Sequence, residues 1–236
     1  MEVHAPEHGI HTWRDFFVHM GTICLGLVIA LGLEQIAEAI HHSNQRAELR
    51  EALDTDSRQD VVDAKRSEIF SDQWIAWAVA RSAQVRTALA NNTALPARVV
   101  PHISDMDIVD DPAFKAAKAS GLLALLPQRE VLAYSEENGV IDFVMQTDDE
   151  ARISRRNLRA FELQYQTADG GFDFSKATPD ELHHYLALLA DMTVTQTGFR
   201  FWNEVDRALA MALLRGERDL NALHKAERTF NTPIRR

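Results

Sequence analysis

The stretch from Phe16 to Leu33, FFVHMGTICLGLVIALGL, runs for 18 residues without Asp, Glu, Lys or Arg and lies between Asp15 and Glu34. Wound at 1.5 Å per residue it makes a helix of about 27 Å, close to the thickness of a bilayer's hydrocarbon core. Apolar and small residues surround its circumference, whereas a surface helix of a soluble protein keeps one polar face. The run therefore predicts a membrane-spanning helix. A cleaved leader competes with that reading, because Ala37-Glu38-Ala39 has the small-x-small form of a signal-peptidase site. Against cleavage, residues 1–15 hold one arginine and three acids where a signal peptide carries a basic region. The run is also longer than the usual apolar stretch of such leaders. The expected organisation is a tail over 1–15 and an uncut anchor over 16–40, followed by a helical soluble domain over 41–230 and a tail over 231–236.

Beyond the anchor the composition is that of a water-soluble domain. Over 236 residues the chain is 46% hydrophobic and 25% charged, with a mean hydropathy of −0.24. About 190 residues are enough for one domain with a real core. The net charge of −10 argues against nucleic acid as a partner, since binding phosphate backbones needs a basic footprint. The single cysteine, Cys24, lies inside the apolar run, which leaves no intrachain disulfide and reads as a small apolar residue.

The punctuation of the chain is helical. Thr12 can cap the membrane helix with Asp15 at its third position, and Trp13 suits the membrane interface. No Pro or Gly separates Leu33 from Pro96, so this helix runs on, or breaks briefly near His42-Ser43-Asn44, into one reaching about Leu89. Charges at Arg46, Glu48, Arg50, Glu51, Asp54 and Arg58 support it, with an interrupted apolar stripe through Leu49, Leu53, Val61, Ala64, Trp74, Trp77 and Val85. Asn91 to Pro112 reads as a long connection, and Asp111-Pro112 as the start of a short helix over 113–119 stopped by Ser120-Gly121. A second long helix is expected over 128–166, weakened at Asn138-Gly139. Thr178-Pro179-Asp180-Glu181 combines a Thr cap, Pro at the first position and Glu at the third, the strongest helix start in the chain. Behind it an apolar stripe runs from Leu182 through Phe199 and Trp202 to Leu213, and a last helix is expected over 217–230. Strand-like alternation is absent. The fold class is therefore all-α, with the transmembrane helix continuing into a long helix and a C-terminal antiparallel helical bundle.

Two local patterns resemble a known group. Trp13 and Phe16 precede a Thr-Ile-Cys-Leu-Gly-Leu-Val-Ile-Ala-Leu-Gly-Leu-Glu segment, Thr22 to Glu34, which leads into a charged helix. A short helix ends in Ser-Gly-Leu-Leu-Ala-Leu-Leu, Ser120 to Leu126, followed by Glu130 and Tyr134. In both, the chain resembles a large group of uncharacterised bacterial single-pass membrane proteins, a domain-of-unknown-function class. The resemblance implies this architecture and a bacterial inner-membrane setting, and it carries no activity over. Arg14 alone precedes the span, against Arg46 and Arg50 shortly after it and Arg58, Lys65 and Arg66 beyond, which leans toward a cytoplasmic C-terminal domain.

Candidate sites are few. His4, His8 and His11 fall at i, i+4 and i+7, a spacing that could offer three imidazoles to zinc or copper. Pro6 and Gly9 interrupt that face, so no metal and no cofactor is assigned. Glu38/His41 and Glu181/His184 match the Glu-x-x-His pairs of di-iron bundles, yet Glu181 is already explained as a capping residue. Glu34 and Glu38 mark the membrane boundary, where a carboxylate is costly unless paired or snorkelled. Thr22, Gly26 and Ala30 form a small-xxx-small ladder that permits close helix approach. Trp74, Trp77, Tyr134, Phe161, Phe199 and Trp202 are candidates for an aromatic pocket. No nucleophile elbow and no phosphate loop is present. The reading reached is a non-catalytic, membrane-anchored accessory or scaffold protein whose partners are the bilayer and a second copy or another membrane protein. A ligand-binding sensor domain is the alternative, and a metal-dependent enzyme comes third.

Overall fold

The computed structural model of the chain describes residues 13–98, 103, 106 and 109–231, and among these it has five α-helices and no strand. They are α1 (Trp13–Asn91), α2 (Pro112–Ser120), α3 (Gln128–Glu162), α4 (Pro179–Leu214) and α5 (Leu220–Asn231), with 3-10 turns at Leu122–Leu125 and Leu163–Tyr165. The Thr12 cap lies outside the described residues.

The helix ends follow from local chemistry. Residues 42–44 are helical, so α1 passes His42-Ser43-Asn44 without a break. It stops at Asn91-Asn92, where Asn92 takes the left-handed conformation (φ 48°) that Asn tolerates better than most residues. Asp111 precedes α2 but its carboxylate does not cap it. That carboxylate accepts from Asn138 at 2.5 Å and pairs with Lys115, while Asp56 of α1 accepts the Ala113 N–H at 2.7 Å. Helix α3 continues through Asn138-Gly139. Helix α4 starts on the expected capping box: Thr178 Oγ1 accepts the Glu181 N–H at 3.3 Å and the Glu181 carboxylate accepts the Thr178 N–H at 2.7 Å, an arrangement that contributes about 1 kcal/mol. Helix α5 begins three residues later than the sequence suggests. Gly216 (φ 81°) turns the chain there, and the Asp219 carboxylate accepts the N–H groups of Asn221 and Ala222.

The described residues divide into two compact units, the first ending at Glu48 and the second beginning at Leu49. In the first unit, one helix is long and apolar enough to cross a membrane. The window that qualifies it has a mean hydropathy of 2.2, and none of it is buried. Phe17, Val18, Ile23, Leu27, Val28 and Leu31 all stand exposed.

In the second unit three helices pack along seams with alternating steps of three and four residues, as in coiled coils. The buried seam of α4 is Leu182, Tyr185, Leu189, Met192, Gln196, Phe199, Asn203, Asp206, Ala210 and Leu213. Arg50, Asp54 and Ser57 of α1 bond to Glu130, Tyr134 and Glu137 of α3, so these two helices run in the same direction. Helix α4 runs opposite to both: Ser154 bonds Asp191, Glu162 accepts from Tyr185, and Glu68 pairs with Arg207 while Arg81 bonds Tyr185. The long connection from Asn92 to Asp111 is what lets α1 and α3 lie parallel.

Candidate functional site

Of the residues singled out from sequence, His4, His8 and His11 lie outside the described residues. Thr22, Gly26 and Ala30 are exposed on α1, and a Cβ built at Gly26 would meet nothing within 4 Å. Glu34 and Glu38 are exposed as well. The six aromatics do not share a pocket. Trp74, Trp77 and Phe161 belong to one core cluster with Phe172, Phe174 and Tyr185, whereas Tyr134, Phe199 and Trp202 belong to another with Leu53, Val144 and Leu209. Trp202 is only half-buried and stacks on the exposed Phe143, with ring centroids 4.7 Å apart. His184 sits edge-on against Phe161, at 5.4 Å. Among the described residues no group of three or more His, Cys, Asp or Glu side chains is placed to hold a metal ion.

Two features that sequence reasoning missed stand out in the second unit. The first is a polar stretch of the interior. The seam of α1 runs Ser57, Asp60, Ala64, Ser67, Ser71, and facing it are Glu137 on α3 and Asn203 and Asp206 on α4, all buried. Ser57 donates to Glu137 at 3.2 Å, but both oxygens of Asp60 and of Asp206 lack a partner among the described residues. A buried carboxylate without compensation keeps its proton. Burial, aided by the nearby Asp206 charge, pushes Asp60 up to about 9. Burial, with Asp111 behind it, pushes Asp206 up to about 8. Burial likewise holds Glu137 well above the usual carboxylate range. At neutral pH these are neutral acids in the bundle interior.

The second feature is a cavity of about 310 Å³ lined by Trp74, Arg98, Arg152, Arg155, Arg156, Arg159, Leu158 and Glu162. Four of the arginines come from α3 at i, i+3, i+4 and i+7, a spacing that puts them on one helix face. Arg98 arrives from the connection after α1. Its guanidinium lies 5.1 Å from both the Trp77 and the Phe172 rings and pairs with Glu162 at 2.8 Å. Arg155 lies 5.1 Å from the Phe70 ring and Arg159 lies 4.7 Å from the Phe172 ring. Stacking fixes the guanidinium planes without using their N–H groups. The same Glu162 oxygen, Oε1, also accepts from Tyr185 at 2.7 Å, and Arg81 donates to that hydroxyl. A larger cleft of about 660 Å³, between the end of α1 and the start of α4, is about as polar as apolar and gathers Arg86 and His183 among its lining side chains.

Comparison with known protein families, with curated proteins and with solved structures finds no match for this chain.

Proposed function

We propose that the chain is a single-pass protein of a bacterial inner membrane, held by Phe16 to Leu33, whose helical unit serves as a non-catalytic accessory or scaffold part of a membrane assembly. The observation that carries this reading is the charge-free run on α1, none of it buried, whose apolar surface has no place in water. The open face at Thr22, Gly26 and Ala30 supports close approach of a second membrane helix, since lipid offers no hydrophobic drive and contact depends on packing of small residues. The excess of arginine after the span supports a cytoplasmic helical unit. A second reading, a ligand-binding domain, is favoured by the arginine-lined cavity.

Purification of the full chain in a mild detergent tests the assembly role. The expected result is a second copy or another membrane protein that stays with the parent and is lost with Gly26→Ile, whose branched side chain blocks close approach. A parent chain that elutes alone as a monomer would contradict the scaffold reading.

A further inference from the structure

Arginines on an exposed helix face are ordinarily solvated, and one in the last turn, such as Arg159, complements the helix dipole. Three observations set the α3 cavity apart. Arg98, from a different segment, is buried against the α3 arginines with its side chain only 6% exposed. Among the described residues, the five guanidiniums have three carboxylate partners, two of them outside the cavity lining: Glu162 pairs with Arg98, Asp149 with Arg152, and Asp148 reaches Arg155 only at 3.7 Å. Finally, two buried donors on residues that line the cavity, Arg155 Nη1 and the Trp74 indole N–H, lack a partner among the described residues. A buried donor left unmade is costly, and beside arginines that outnumber their carboxylate partners such a pair favours an anion with several acceptors. Such concentrated positive charge is conspicuous in a chain whose net charge is −10.

We propose that the cavity between Trp74, Arg98 and the Arg152, Arg155, Arg156 and Arg159 face of α3 is a binding site for a phosphate group. Phosphate fits on two counts. Its oxygens accept bidentate pairs from guanidinium forks, and its charge matches the excess of arginine over carboxylate. The stacked rings of Trp77, Phe172 and Phe70 hold Arg98, Arg159 and Arg155 before the ligand arrives, which lowers the ordering cost of binding. Burial pulls the Arg155 pKa down, against the opposing pull of Asp148. A volume near 310 Å³ suits one or two phosphates with little else enclosed, so the remainder of a larger ligand would lie outside. The same chemistry is supplied by a free phosphate compound or by a lipid headgroup. The site belongs to the helical unit alone and does not depend on the assembly role proposed above.

The full chain in a maltoside detergent free of phosphate, titrated with inorganic pyrophosphate by calorimetry, tests this directly. Arg156→Gln/Arg159→Gln removes two exposed cavity cations, and Lys118→Gln/Arg129→Gln removes equal charge elsewhere as a control. In parallel, the melting temperature is followed as phosphatidic acid or, for comparison, diacylglycerol is added to the micelles. The expected result is pyrophosphate binding that weakens with salt, falls at least tenfold in the cavity variant and is kept in the control. Stabilisation by phosphatidic acid alone, lost in the cavity variant, would equally support the site and assign its phosphate to a lipid. Binding of neither probe to the parent, or equal binding by parent and cavity variant, would overturn the proposal, as would an equal loss in the control.

Discussion

Asp206→Asn is expected to stabilise the helical unit at pH 7.5 and to flatten its dependence on pH. Asp206 is fully buried with neither oxygen partnered among the described residues, and burial raises it to about 8. Asp60, one helix away, is raised to about 9. An unfolded Asp ionises near 3.8, so between that pH and about 8–9 the folded chain binds more protons than the unfolded one. Stability then falls as pH rises: the contribution is whole below about pH 4 and is gone once pH passes the folded value. At 1.36 kcal/mol per unit, one such carboxyl withdraws about 4 kcal/mol between pH 4 and pH 7. Asparagine keeps the shape and has no proton to lose, so the variant should gain on the order of 2–4 kcal/mol at neutral pH and lose about one proton's worth of slope. Thermal melts of parent and variant from pH 5 to pH 8.5 check this. A parent whose stability rises over that interval would mean that these acids are ionised in the fold.

Phe199→Ala should cost about 3–5 kcal/mol, because its ring, on α4, is fully buried in a core cluster with residues of α1, α2 and α3 and the surrounding seam cannot close over the space. Trp202, three positions on, is half-buried and rests on the exposed Phe143, so Trp202→Ala should cost about 1–2 kcal/mol despite the larger side chain. Melts of the two variants beside the parent decide between them. Equal losses would place Trp202 in the core as firmly as Phe199.

The contrast between those two residues marks how far the fold is legible from sequence. The capping box at Thr178, the glycine stop at Gly121 and the apolar seam of α4 as far as Phe199 follow from residue type and spacing alone. Past Phe199 the stripe residues Val205, Leu209 and Leu213 are buried as their spacing suggests, but the hydrophobic signal also favours Trp202, whereas steps of three and four lead to Asn203 and Asp206, which the bundle buries instead. Along α1 the buried residues Ser57, Asp60, Ser67 and Ser71 carry no hydrophobic signal at all. The four α3 arginines carry a signal in the sequence, their i, i+3, i+4, i+7 spacing, that sequence reasoning passes over because a basic helix face is ordinarily solvated. Arg98 and Phe172, which turn that face into a cavity, come from distant segments that only tertiary packing brings near. Grouping six aromatics by type likewise could not foresee that they divide between two core clusters.

Extraction of membranes with alkaline carbonate, followed by N-terminal sequencing of the retained chain, tests the central claim that Phe16 to Leu33 is an uncut membrane span. The full-length chain is expected in the pellet with its N-terminus ahead of Phe16, whereas a soluble chain beginning at Ile40, released by cleavage after Ala37-Glu38-Ala39, would contradict it.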